Sequence, residues 1–499
     1  MTAARARLER PWLLFLLAAA LSAVTIWWEI GPHDEGLMLQ AAHRIAEGQL
    51  PYRDFWWNYA PGQPLLLAPF DALLGSALVP WRILRVLADA TVALLAFTLV
   101  RREIAVLAPA AAAASAGAPP RASAWRTWLP LLTWLAVAGA MAFPTGPGPN
   151  PVALVLALSA LLVAPRRVVL AGVLAGLAAV FRLEIGGAAA LGVVLLGAPR
   201  ALPVAMAVAA AGWAPFFLAA PSETLDQTLG FLGIQDLQRR PFPLDPSGTG
   251  GSPVKLLELW MPAILVLAAA AWAVAAALRR PPLRAVALAP LALVGLAYLL
   301  GRTDEFHLVP LAVALPLLLA VAAAREPHPA VALALAALIG VIALHGLERK
   351  AAQLTGRPEL ARVPGPAGDG IRTTAAEAAD LARVLAAVRG DRTLLVLPPR
   401  TDRVTVGNPL LYRLTGTENP TRYDVMQPGV VTEPDVQREM VADLDRARPR
   451  HVVRWVDPRT APEDNPSGRL RGARILDAYV ARHYATPRRF GTFVVLTRR

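Results

Sequence analysis

Residues 12–40 read WLLFLLAAALSAVTIWWEIGPHDEGLMLQ, an uncharged, largely apolar run that ends at Glu29, Asp34 and Glu35. A bilayer core of about 30 Å takes about 20 helical residues, so this stretch predicts a membrane helix over 12–30. Arg5, Arg7 and Arg10 precede it, which by the positive-inside rule leaves the N-terminus in the cytoplasm and sends the following loop outside. A cleaved signal peptide would share the basic start and the small residues near Ala20 to Ala23. The continuation through Trp27 and Trp28, residue types that settle at membrane interfaces, favours an uncleaved anchor.

Outward from this helix the composition is of one kind: 499 residues, 56% apolar and 17% charged, mean hydropathy +0.46, and no Cys. A single soluble globule, a disordered chain and a disulfide scaffold are excluded. The net charge of +13 comes from 49 basic residues, of which only Lys255 and Lys350 are lysine. In a membrane chain such a balance is read loop by loop, and no nucleic-acid partner is expected from it. The abundance of Ala, Arg and Pro suits a GC-rich bacterial genome.

Apolar runs at 12–30, 80–101, 127–143, 151–164, 168–181, 185–198, 201–219, 256–278, 285–300, 307–324 and 329–347 predict eleven crossings, three of them short. Arg101, Arg102, Arg121, Arg126, Arg166, Arg167, Arg200, Arg279, Arg280, Arg284 and Arg325 then fall in the five inner loops, so every alternate loop agrees with the first. The expected fold is a polytopic α-helical membrane protein, with a multispanning domain over 1–347 and a first outer loop over 31–79. From 348 to 499 long apolar runs vanish. Short strands at 393–398, 451–456 and 492–497 alternate there with helical stretches near 374–390, 434–447 and 469–484, predicting a small extracytoplasmic α/β domain. The Ala-rich stretch 107–124 reads as a cytoplasmic linker, and no internal repeat is present.

Candidate chemistry gathers on the outer face. Asp34 and Glu35 stand just beyond the first membrane helix, where carboxylates are costly unless used, hydrated or placed to cap a helix. Leu37, Ala41 and Ile45 recur at helical spacing opposite Gln40, Arg44 and Glu47, predicting a short helix along the membrane surface. GLAAVFRLEIGG (176–187) sets Arg182 and Glu184 between two apolar runs, and GRTDEFHLVP (301–310) brings Arg302, Asp304, Glu305 and His307. Ionisable groups so placed are functional candidates, although Arg182 and Glu184 could simply pair and Arg302 and His307 could anchor an interface. Guanidinium forks grip two oxygens of a lipid phosphate, and a nearby carboxylate can take a proton from an attacking hydroxyl or help hold a divalent cation. Trp56, Trp57 and Tyr59 can stack on a sugar ring or anchor an interface, and His33 and His43 read as bystanders. The 220–255 loop, ending in DPSGTGGSP (245–253), reads as a connector or a substrate loop. No phosphate loop, HExxH or CxxC occurs, which leaves a nucleotide-driven pump and a zinc protease without support.

PHDEG (32–36), AEGQLPYRDF (46–55) and APGQPLLLAPF (60–70), in this order after the first membrane helix, resemble the C-type (GT-C) glycosyltransferase superfamily. The closer likeness is to bacterial enzymes of the dolichyl-phosphate-mannose protein mannosyltransferase and aminoarabinose transferase type. The likeness is carried by the first hundred residues, by topology beyond them, and scarcely by the C-terminal domain. It implies a multispanning, inverting enzyme of a bacterial inner membrane that moves a sugar from a polyprenyl-phosphate donor to a glycan, lipid or protein acceptor. It also implies Asp34 as the catalytic acid, with Glu35 and Asp54 in support. Many relatives carry a second acid where this chain has Asn58, Tyr59 and Ala60, which leaves the use of Mg or Mn and the acceptor open. Arg182, Glu184, Arg302, Asp304, His307, Asn58 and Tyr59 are the expected substrate-binding residues, and Asp34 the expected ligand of any metal. A flippase for a lipid-linked glycan and a non-catalytic envelope scaffold are the alternatives, the first of which tends to show internal repeats and midplane charges.

Overall fold

The computed structural model describes residues 9–75, 77–114, 124–142, 148–239, 284–303, 306–326, 328–355, 357–463 and 465–499, with scattered positions between 253 and 271. The expected crossing at 256–278 therefore falls largely outside the described residues, as do Arg121, Arg279, Arg280, Asp304, Glu305 and the stretch 240–252.

Helix α1 (Pro11–Ala23) leads into α2 (Asp34–Ala46) and α3 (Gly62–Leu74), and these are followed by the long α4 (Leu78–Ala114). A bundle continues through α5 (Leu129–Met141), α6 (Asn150–Val163), α7 (Val168–Phe181), α8 (Leu183–Leu195) and α9 (Ala201–Ala219), and closes with α10 (Arg284–Gly301), α11 (Val309–Arg325) and α12 (Pro329–Leu354). Helices thus occur where ten of the eleven apolar runs lie. Among the described residues three are long and apolar enough to cross a membrane by themselves, over Leu78–Val106, Ala201–Ala219 and Pro329–Leu354, fewer than the eleven expected. The reason is length: α5 to α8 have 13 or 14 residues each. Such a helix rises only about 20 Å, short of a bilayer core of about 30 Å.

Small residues draw the bundle together. On α7, a Cβ at Gly172 would lie 2.5 Å from the Ala201 carbonyl and one at Gly176 2.5 Å from that of Ala205, so α7 and α9 touch backbone to backbone through a GxxxG pair. Gly139 and Gly346 make a similar crossing between α5 and α12.

After α12 the chain forms a two-stranded antiparallel ladder, β1 (Leu360–Arg362) and β2 (Arg372–Thr374), and then α13 (Ala375–Ala387), whose N-cap Thr374 accepts from the Glu377 amide. A four-stranded sheet follows, built of β3 (Leu394–Leu397), β4 (His451–Trp455), β5 (Tyr484–Phe490) and β6 (Phe493–Arg498) in the order β3-β4-β6-β5. β3 and β4 are parallel and the other pairs antiparallel. Helices α14 (Leu410–Thr415), α15 (Pro434–Ala447) and α16 (Ile475–His483) complete this small α/β region.

The segment between α1 and α4 does not float above the bundle. Leu37, Tyr52, Phe55, Trp57 and Trp81 share one core with Val396, Leu410, Trp455 and Phe493. Backbone pairing tightens the union: the Glu29 amide donates to Arg372 O and the Arg372 amide to Trp27 O, each at 2.7 Å. This differs from the expected surface helix with one wet face, because both faces of α2 are covered. Gln40 and Arg44, expected opposite the buried side, are themselves buried, and Arg44 binds Asp424 at 2.6 Å and the Thr421 carbonyl at 2.6 Å. The helix keeps its amphipathic spacing but spends its polar face on the C-terminal domain.

Candidate functional site

The site begins with an anchor. Glu35, at the second position of α2, is buried and forms a two-pronged pair with Arg82 of α4. It also accepts from the Gly31 amide at 2.9 Å, while Arg82 spends its remaining donors on the carbonyls of Ile26, Trp28 and Glu29. The turn carrying PHDEG is thereby clamped on both sides. Gly36 is required next to it, since a Cβ there would lie 2.3 Å from the Leu410 amide nitrogen at the start of α14.

Asp34 projects from this clamped turn. Its side chain is exposed and, among the described residues, takes no hydrogen bond and no ion pair. The expected capping role is not what it does: the first turn of α2 has no side-chain cap. Its charge is felt by His33, the residue before it, and by the Tyr59 phenol. Burial holds the His33 imidazole below its ordinary range; Asp34 and the Gly407 backbone oppose this, and Arg302 adds to it. Burial, then Asp34 and Tyr298, push the Tyr59 phenol well above its ordinary value, against the pull of Arg182.

Tyr59 reaches this position because the chain behind it packs closely. A Cβ at Gly62 would lie 2.7 Å from the Val180 carbonyl, so the start of α3 sits directly on the end of α7. Arg182 is the single extended residue between α7 and α8. It forms the ion pair with Glu184 that its spacing allows, stacks over the Tyr298 ring at 4.6 Å and, among the described residues, leaves its Nε without a partner. His307 lies on Tyr298 at 4.5 Å, so one ring joins two expected site residues. Arg302 is held by Glu463 of the C-terminal domain at 2.6 Å and by the Gln238 carbonyl at 3.2 Å.

The structure therefore brings Asp34, Tyr59, Arg182, Arg302 and His307 into one neighbourhood, with Glu184 paired to Arg182 and Asn58 next to Tyr59 in the chain. Glu35 sits behind Asp34 with its carboxylate fully engaged, which makes it a positioning group. Asp54 points elsewhere. It pairs with Arg53 and the Leu50 amide, and Arg53 first among its neighbours holds it below the usual carboxylate range. Together with Arg44, Asn419, Arg422 and Glu439 it lines a separate open polar cleft of about 550 Å³. Among the described residues no three His, Asp or Glu side chains converge to hold a metal ion. Asp34 with His33 supplies two donors at most, so the residues described do not fit a divalent cation and no step is routed through one.

Reading the sequence alone missed four contributors. Arg82 and Tyr298 stood in apolar runs, and Gly36 looked like any glycine. Gln427 belongs to a stretch with no motif, yet its Nε2 lies 3.2 Å from His33 Nε2. The position of His33 directly before Asp34 was the one available signal. His43 pairs with Asp71 at 2.8 Å. Compared with known proteins, the chain matches no family model, no curated protein and no solved structure.

Proposed function

We propose that the chain is a glycosyltransferase of a bacterial inner membrane, which moves a sugar from a polyprenyl-phosphate donor to a cell-envelope acceptor on the outer face. The observation that carries this reading is Asp34, an exposed carboxylate without a partner among the described residues, held on a turn that Glu35 and Arg82 clamp, with two guanidinium groups in the same neighbourhood. In the reaction so read, Asp34 accepts the proton of an acceptor hydroxyl as its oxygen attacks the anomeric carbon. The bond from that carbon to the phosphate oxygen breaks on the opposite side, which inverts the centre. The phosphate leaves with both electrons of the bond, and Arg182 and Arg302 balance its charge.

The experiment is transfer of radiolabelled sugar from polyprenyl-phosphate donors to membrane extract by the purified protein and by Asp34→Asn. Loss of transfer by about a hundredfold or more, with donor still bound, is the expected result. A folded wild type that transfers from no donor would refute the reading.

A further inference from the structure

One wall of the site is uncharged, buried and short of hydrogen-bond partners. Gln427 is 6% exposed. Its amide reaches His33 and also faces the Tyr59 hydroxyl, so one side chain of the C-terminal domain spans the two residues that flank Asp34. Among the described residues the Oε1 of Gln427 has no partner, and neither do Asn58 Oδ1 and Asn408 Oδ1, whereas the His33 ring is met by Gln427 and by the Gly407 backbone. Asn408, also 6% exposed, belongs to the same wall: the backbone of Gly407 lies against the His33 ring, and the Leu410 amide donates to Pro32 O at 3.2 Å.

Each buried polar atom left unpaired costs about 1–3 kcal/mol, and native folds keep few of them without a use. Three of them, on Gln427 and on the residues next in the chain to Tyr59 and Gly407, mark a surface that a ligand completes. Amide side chains present both a donor and an acceptor, as a hydroxyl does. A phosphate would find no charge in this wall and would go to Arg182 and Arg302 instead. What fits the wall is a neutral ring bearing several hydroxyls.

We infer that Asn58, Asn408 and Gln427 form a hydroxyl-binding subsite for a neutral sugar ring beside Asp34, in which Gln427, held by His33, is a specificity-determining residue contributed by the C-terminal domain. That the ring is the donor's rests on the transferase reading above. The C-terminal domain is then part of the site rather than a cover for it.

The test uses the full-length protein in detergent. Tryptophan fluorescence reports on the site through Trp57, whose ring is 5.3 Å from that of Tyr59. The titrants are undecaprenyl phosphate, undecaprenyl-phosphate-mannose and undecaprenyl-phosphate-arabinose. Wild type binds at least one glycosylated lipid about tenfold more tightly than the bare phosphate, the worth of one or two hydrogen bonds. Gln427→Ala and Asn408→Ala each shrink that preference and leave affinity for the bare phosphate unchanged. A wild type without preference, or folded variants that keep it, would overturn the subsite. If Gln427→Ala does not fold, Asn408→Ala alone decides in the same way. Preferential binding without transfer keeps the subsite and removes the transferase reading, whereas a preference untouched by both variants in an enzyme that does transfer removes only the subsite.

Discussion

Glu35 accepts from Nε and Nη2 of Arg82 at 2.8 and 2.9 Å, in a pair whose side chains are 1% and 2% exposed. Removing one partner strands the other charge in a dry environment. Arg82→Ala is therefore expected to destabilise the protein by about 3–5 kcal/mol, seen as a lower midpoint of thermal unfolding. Asp34→Asn, which touches an exposed group, should leave that midpoint in place. An Arg82→Ala midpoint equal to wild type would show that the clamp is not what fixes the turn.

The position of His33 gives stability a pH dependence. Burial, with the Arg302 charge adding to it, keeps the folded imidazole below its ordinary value of 6.5. The unfolded chain therefore takes up this proton first as pH falls. The stabilisation is complete above the unfolded value and is lost as pH drops from there through the folded value. Melting curves between about pH 7.5 and 5.5 should show a larger fall for wild type than for His33→Gln. Parallel falls would mean that His33 titrates alike in both states.

Gly36 admits the Leu410 backbone where a Cβ would lie 2.3 Å from the amide nitrogen. Gly36→Val is expected to separate α2 from α14 and to loosen the C-terminal domain. Limited proteolysis should then cut between α12 and β1 several times faster than in wild type. Equal cleavage rates would argue that the core shared by the two regions holds without this contact.

Gly172 and Gly176 let α7 meet the backbone of α9, with added Cβ atoms 2.5 Å from the Ala201 and Ala205 carbonyls. Gly176→Val forces these helices apart and is expected to cost about 1–3 kcal/mol or more. Because Arg182 follows α7 directly, phosphate affinity should fall along with thermal stability. A variant as stable as wild type would place the packing of this pair elsewhere.

The sequence carried those parts of the architecture that depend on local pattern. The helix expected at 434–447 is α15 (Pro434–Ala447), and the three expected strands are β3, β4 and β6. β5 escaped because YATPRRF (484–490) holds a proline and few strand-forming residues, and it exists by pairing with β6 across a bulge. The polar side of α2 looked like a face for water because its partners, Thr421 and Asp424, lie far down the chain. Asp34, Arg182 and Arg302 were legible as charges at the ends of apolar runs. Gln427 was not, since a neutral side chain in a loop has no periodicity, and its meaning comes only from what lies across from it.

Arg44 and Asp424 meet at 2.6 Å although 380 residues separate them. A ribosome adding about 5–20 residues per second needs roughly 20–75 s to make the second after the first. For that interval α2 exists with half of its core unbuilt and its arginine unanswered, a state that a chaperone can hold and a protease can cut. A chain terminated between Leu354 and Gln427 would carry every described helix of the bundle and still lack Gln427 beside His33.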